Sequence, residues 1–407
     1  MSFLRFLIPI VFLWLAGCGG SAPDSGKPDE IYDLRGAIVR LTPEDQVALI
    51  DHEEIPGWMA AMTMEFPVKD KAEFGRLKVG DRIEAKVHVR DLEYWITGIR
   101  PAVALIVVEK VAGQVGFYAA DGQRIAGFES GPVPHEIILS PDRRFAYVSN
   151  NGILWMTDPG EGGNTITIVD IAARASAGTI DLGDFHRPHG MDIDPKTNRM
   201  VCTVENPDGL LLIDLNDRKV LRNYDVKGKG PHMVVLDAEG RHAYVSNTKS
   251  HNVAVVDLET GEVKLLEAGK WPQGAVRSSD GKRIYLTAAE SDAIAIIDTG
   301  KQAVADVIKT GVYPNRVELT PDGKTLVYSL QKGEGVGFAD VEGRKQVAEV
   351  PLGGPPLSLH LSRDGALAYA GVQAQDKIFV LSVADRKIVR TIGTPKGAGP
   401  DPAVPLP

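Results

Sequence analysis

Between His52 and Met64 the chain reads His52-Glu53-Glu54-Ile55-Pro56-Gly57-Trp58-Met59-Ala60-Ala61-Met62-Thr63-Met64. An imidazole, an indole and three thioethers share this window, although the 407 residues include only 8 Met. Thioether sulfur is soft and uncharged, a poor ligand for Ca2+, Mg2+ or Zn2+ and a good one for Cu(I) or Ag(I). If Met62-Thr63-Met64 is a strand, its period of two puts both sulfurs on one face and Thr63 on the other. A neutral imidazole from a neighbouring strand, His52, then completes a trigonal soft-metal site. Met also fills apolar gaps, a role that suits Met59 alone better than it suits two Met at strand spacing beside a His.

A second group of histidines recurs at long intervals. Pro134-His135, Pro188-His189 and Pro231-His232 open three consecutive copies of a repeat, and Pro272-Gln273, Pro314-Asn315 and Pro356-Leu357 open the next three. His186 lies just before His189. Three imidazoles converging in a polar funnel suit Cu or Zn with one open position. The competing reading is a His that bonds backbone in a tight turn, and the ring is incomplete at Gln273, Asn315 and Leu357.

The elements that position these groups follow from the pattern. After each Pro comes an alternating apolar run, then a turn such as Ser140-Pro141-Asp142 or Thr320-Pro321-Asp322-Gly323. Strands such as Ala146-Tyr147-Val148-Ser149-Asn150 and Ala293-Ile294-Ala295-Ile296-Ile297-Asp298 complete the unit. Four short strands in about 42 residues make one β-propeller blade. Such blades bury their faces only against neighbours, so the array must close. Six blades start within the chain. A seventh is implied by Leu105–Val108 and Gln114–Phe128, completed by a lone inner strand in Gly399–Val404, so that both termini join one blade and no edge stays open. Tyr-Val-Ser-Asn, present twice, resembles the Tyr-Val-Thr-Asn (YVTN) repeat family of bacterial surface and periplasmic propellers, over roughly residues 103–400. That fold hosts many functions.

The first window resembles the periplasmic copper- and silver-binding proteins of the CusF type: a strand ending in His52, the Ile55-Pro56-Gly57 loop, Met62-Thr63-Met64, then Phe66. The likeness extends over residues 31–101 and includes the Leu77-Lys78-Val79-Gly80-Asp81 turn. It implies a small five-stranded OB-like barrel in which His52, Met62 and Met64 bind the ion and a Trp caps it by a cation–π contact. The family's Trp lies three residues before the first Met of the pair, where this chain has Met59. Met59 is therefore a candidate third thioether, and Trp58 either the capping ring or a packing residue.

Residues 1–17 carry one Arg and then an apolar run too short to span a bilayer, the pattern of a secretory signal. Leu15-Ala16-Gly17-Cys18 resembles the bacterial lipoprotein box, which implies lipidation at Cys18. Gly19, in place of Asp, favours the outer membrane. Residues 18–30 form a Gly/Ser/Pro/Asp-rich tether, followed by the barrel (31–101) and the propeller (103–407). Cys202 is the only other Cys and reads as a buried thiol. A net charge of −9 without a basic run argues against a nucleic-acid partner. Neither Gly-x-Ser-x-Gly nor His-Glu-x-x-His occurs, so no hydrolase motif is present.

The expectation is thus an all-β, lipid-anchored, periplasm-facing protein that binds Cu(I) or Ag(I) for copper handling, handover or tolerance. Its propeller would be an interaction platform for another periplasmic or envelope protein. The alternative is a copper-dependent oxidoreductase with a second copper at His135, His189 and His232.

Overall fold

A computed structural model describes residues 29–406. Cys18, with the signal and most of the tether, lies outside the described residues. The chain divides into two compact units that part between Arg100 and Pro101.

The first unit is one five-stranded sheet. Its strands are β1 (Glu30–Thr42), β2 (Val47–His52), β3 (Met62–Pro67), β4 (Arg82–Arg90) and β5 (Glu93–Pro101), in the order β3-β2-β1-β4-β5. The long β1 pairs with β4 along its first half and with β2 along its second, with a register shift between Ile38 and Arg40. Such irregularities bend a strand far enough to curl a sheet. A parallel bridge from Val68 to Ile96 brings the end of β3 against β5 and closes the barrel. Between β3 and β4 a one-turn helix α1 (Lys71–Phe74) is capped by Asp70, whose Oδ1 accepts from the Ala72 and Glu73 amides. Leu34, Ile38, Ile50, Phe66, Val68, Ile83, Val87 and Ile96 fill the interior.

Period-two alternation sets the site. On β2 the buried positions are Ala48, Ile50 and His52, so the imidazole occupies the last inward step of an apolar stripe. On β3 the same face carries Phe66, fully buried, then Met64, half-buried, then Met62, 49% exposed. The barrel interior therefore opens to solvent at its Met62 end.

The second unit contains seven four-stranded sheets among the described residues. The seventh is completed from the C-terminus as expected: Pro400–Pro405 pairs with Leu105–Glu109, Ala403 opposite Val107 and Val404 opposite Ile106. Apolar clusters run from blade to blade. Tyr147, Ile166 and Ile168 of one pack with Met191, Met200 and the fully buried Cys202 of the next, the stacking that makes closure necessary.

The innermost strands carry the Pro-x positions. Register breaks between Pro188 and Met191, Pro231 and Val234, Pro272 and Ala275, Pro314 and Val317, and Pro400 and Ala403. A bulge of this kind re-aims a side chain, here toward the channel. The hydroxyl of the second strand holds it. Ser149 Oγ accepts from the Glu136 amide and Thr203 Oγ1 from the Gly190 amide, while Thr203 also donates to the His232 carbonyl of the next blade. The Ser of Tyr-Val-Ser-Asn thus has a mechanical role at Ser149.

Candidate metal sites in the barrel and the propeller

In the barrel, His52 pairs with Met62 and Ile50 with Met64 across the β2–β3 ladder. Residues directly opposite in an antiparallel pair share a face, so His52, Met62 and Met64 lie together on the inner face. Thr63 lies on the other, where its hydroxyl donates to Asp51 Oδ1 at 3.1 Å. His52 is 3% exposed, and its Nδ1 lies 2.7 Å from the Glu53 carbonyl. A carbonyl only accepts, so in the neutral ring Nδ1 carries the proton and Nε2 the lone pair. Nε2 is buried and has no partner in the structure. A buried nitrogen with a free lone pair beside two thioethers fits a soft monovalent cation.

The loop that carries Trp58 and Met59 is a tight turn. Trp58 N donates to the Ile55 carbonyl at 3.0 Å, with Pro56 and Gly57 at the corners and Gly57 at φ +83°, the type II arrangement. Ile55 and Met59 bridge behind it. The half-buried Trp58 ring stacks on Tyr32 at 5.9 Å and meets Tyr94 at 5.7 Å and Phe66 at 6.4 Å. Phe66 in turn meets the His52 ring edge-on at 5.5 Å. Trp58 is thus part of an aromatic cluster one ring removed from His52.

In the propeller, the position after the Pro is occupied around the channel by Asp401, His135, His189, His232, Gln273, Asn315 and Leu357. All seven line one cavity of about 260 Å3. Trp155 and Met156, from the insertion after Asn150, line it too, with Trp271 and Tyr313. Trp271 and Tyr313 sit one residue before their Pro at positive φ, as do Val133 and Arg187. Non-glycine residues in that region cost free energy, and such outliers gather at ligand sites.

The three histidines do come together. His135 and His189 are 4.1 Å apart between ring centroids, and His189 and His232 are 3.9 Å apart. His186 does not join them; its Nδ1 lies 3.2 Å from the Gly162 carbonyl and its Nε2 3.5 Å from Glu161. Charged partners surround the trio. Lys110 Nζ lies 3.1 Å from His135 Nε2 and 3.0 Å from Asp401 Oδ2. His189 Nδ1 lies 3.1 Å from Glu205 Oε1 and its Nε2 3.7 Å from Glu136 Oε1, which also accepts from Arg316.

Burial, and then the Lys110 charge, hold His135 well below the usual imidazole range; burial and the neighbouring His189 do the same for His232. Burial also opposes charge on His189, but the neighbouring carboxylates of Glu136 and Glu205 outweigh this and raise it. Burial pushes the Glu136 carboxyl up, but the Arg316 charge overrides it and brings the group to about 2. Cys202 is pushed up to about 12 by burial, an inert thiol.

Lys110, Glu136, Arg316 and Asp401 were not singled out in the sequence. Asp401 had a readable signal, since Pro400-Asp401 repeats the Pro-His spacing.

The family model described as copper binding periplasmic protein CusF matches residues 31–101. The YNCE-like beta-propeller model matches residues 119–401, more than half of the chain. No curated protein matches. Among solved structures, a functionally unknown protein from Desulfotomaculum acetoxidans is similar at TM-score 0.63 and 12% identity, covering 75% of this chain and 99% of that one. Kuenenia stuttgartiensis hydrazine synthase gives 0.55 and 19%, covering 65% and 87%. Dihydro-heme d1 dehydrogenase NirN gives 0.54 and 16%, covering 73% and 65%. At these identities the structures share the fold alone. Among the described residues no helix is long and apolar enough to cross a membrane. The chain belongs to the YNCE-like β-propellers, and a CusF-like copper-binding domain precedes its propeller.

Proposed function

We propose that this protein faces the periplasm on a lipid anchor at Cys18, takes up Cu(I) or Ag(I) in its barrel and hands the ion to an envelope protein docked on its propeller. The observation that carries this reading is the buried, unpartnered Nε2 of His52 opposite Met62. Burial falls from Phe66 through Met64 to the 49% exposed Met62, which supports transfer over storage. An ion held by neutral soft ligands at an open rim is within reach of an incoming ligand, so it leaves by exchange and not by dissociation into water. Met59 is a candidate third thioether, and the propeller supplies the recognition surface.

The test is an anaerobic Cu(I) titration against a competing chelator, on the chain from residue 19 onward and on its Met62→Leu/Met64→Leu form. Leu nearly conserves the volume of Met, so the fold should persist. Tight binding of a single equivalent by the parent and its loss in the variant is the expected result. Unchanged affinity in a folded variant would sink the proposal.

A further inference from the structure

We infer that the mouth of the propeller holds a metal site of its own, built from His189, Glu136 and His135 and selective for a divalent ion such as Cu(II) or Zn(II). It goes beyond the barrel reading and stands or falls separately from it.

Geometry is the first support. One ligand atom from each of His135, Glu136 and His189 lies within 4.8 Å of the others, and all three residues are buried. Within the trio, His189 Nε2 and Glu136 Oε1 are 3.7 Å apart. Two ligands at tetrahedral angles around an ion with bonds of about 2.1 Å are about 3.4 Å apart, so a small adjustment completes the pair.

The second support is the set of unused atoms. His189 Nε2, His135 Nδ1 and His232 Nδ1 are all buried without a hydrogen-bond partner. Burying such groups unpaired is unfavourable. His189 Nε2 can present a lone pair directly, whereas His135, whose Nε2 accepts from Lys110, binds an ion through Nδ1 once its proton has moved off that atom. His189 also has the outer contact that metal-ligating imidazoles use. Its Nδ1 faces Glu205 at 3.1 Å, which fixes the ring and directs the Nε2 lone pair inward when the imidazole is neutral.

Charge is the third. The contacts of the cluster include three carboxylates, Glu136, Glu205 and Asp401, with side chains 7%, 2% and 2% exposed. They include two basic side chains, Lys110 and Arg316, which pair with Asp401 and Glu136. Glu205 has no such basic partner and faces His189 instead, and a buried carboxylate is costly without a positive neighbour. A proton on His189 or a metal ion on its Nε2 balances it.

Ligand type sets the selectivity. Two imidazoles and a carboxylate suit Cu(II) and Zn(II), with Cu(II) the tighter, and suit Cu(I) less well than thioethers do. The barrel and the propeller would thus hold different oxidation states or different metals. The ion would keep an open side, because the cavity lined by Trp155, Met156 and His232 lies against the cluster.

The test is an aerobic Cu(II) titration with a competing chelator and an electron paramagnetic resonance spectrum, with Zn(II) as competitor. It uses the chain from residue 19 onward in its parent, Met62→Leu/Met64→Leu and His135→Gln/His189→Gln forms. Gln suits these bulges, since Gln273 and Asn315 occupy the equivalent positions and are buried; far-UV circular dichroism and thermal melting report the fold of each form. The parent and the Met variant should bind a single equivalent with nitrogen hyperfine splitting, displaced only by a large excess of Zn(II). The His variant should bind about 100-fold more weakly or worse and lose the splitting. A folded His variant with parental affinity, or a parent spectrum without nitrogen coupling, overturns the inference. Should the His variant fail to fold, Glu205→Gln is read instead: an affinity within twofold of the parent counts against the site, and a drop of about 10-fold supports it.

Discussion

Lys110 and Asp401 form a buried ion pair at 3.0 Å, each side chain 2% exposed, between segments from opposite ends of the propeller unit. It joins the C-terminal strand to the residue that follows the Leu105–Glu109 strand in the blade where the ring closes. Lys110→Met leaves a buried carboxylate without its counter-ion and should cost about 3–5 kcal/mol. Lys110→Met/Asp401→Asn removes both charges and should recover most of that loss. Urea unfolding of the parent, both single variants and the double variant measures the coupling. Additive losses would mean that the pair does not hold the closure.

Gly36 lies directly opposite His52 on β1. A Cβ at Gly36 would fall 2.6 Å from the Ile50 side chain, 2.7 Å from the Asp51 carbonyl and 3.0 Å from the His52 Cα. β2 cannot stay where it is, and the imidazole must move with it. Gly36→Ala should therefore destabilise the barrel by about 1–3 kcal/mol and weaken Cu(I) binding as well, although residue 36 has no side chain that could touch the ion. Thermal melting and the chelator titration together check this. A loss of stability with unchanged Cu(I) affinity would separate the position of His52 from ion binding.

Trp58 packs with Tyr32, Phe66 and Tyr94, and only Phe66 of these meets His52. The expected outcome is that Trp58→Ala lowers barrel stability by about 1–3 kcal/mol, less than a fully buried aromatic. Trp58→Phe, which keeps a ring in the cluster, should hold Cu(I) affinity within a few-fold of the parent. A large affinity loss in a stable Trp58→Phe variant would show that the indole itself caps the ion.

What could be read in the sequence was local or periodic. Met62 and Met64 were legible because strand period puts them on one face, and His52 because the CusF resemblance joins it to them. The blades were legible because a Pro recurs at a nearly constant interval, and the closing strand because Pro400 continues that series. Partners brought together by the ring were not legible. Lys110 and Asp401 are 291 residues apart, and Arg316 reaches Glu136 across 180; no local pattern couples such positions. Tyr32 and Tyr94 come from β1 and β5, so the surroundings of Trp58 were hidden for the same reason.

The turns between the first two strands of several blades make an acid-sensitive set. In Ser140–Asp142, Ser278–Asp280, Thr320–Asp322 and Ser362–Asp364 the hydroxyl donates to the Asp Oδ1 at 2.6, 2.7, 2.6 and 2.6 Å. The amides of Arg144, Lys282, Lys324 and Ala366 donate to the same oxygens. These bonds, the hydroxyl's first and the amide's second, hold all four carboxyls below the usual Asp range. A carboxyl with a depressed folded-state pKa contributes stability that is fully present above its unfolded value. That contribution is lost as pH falls through the folded one. Propeller stability should therefore begin to decline below about pH 4 and keep declining as the folded carboxyls take up protons. Replacing all four Asp by Asn should lower the thermal midpoint near neutral pH, because the charge-assisted bonds weaken, and flatten the decline between about pH 5 and pH 3. Melting curves of the parent and the fourfold variant across that window decide it; parallel declines would place the acid sensitivity elsewhere in the chain.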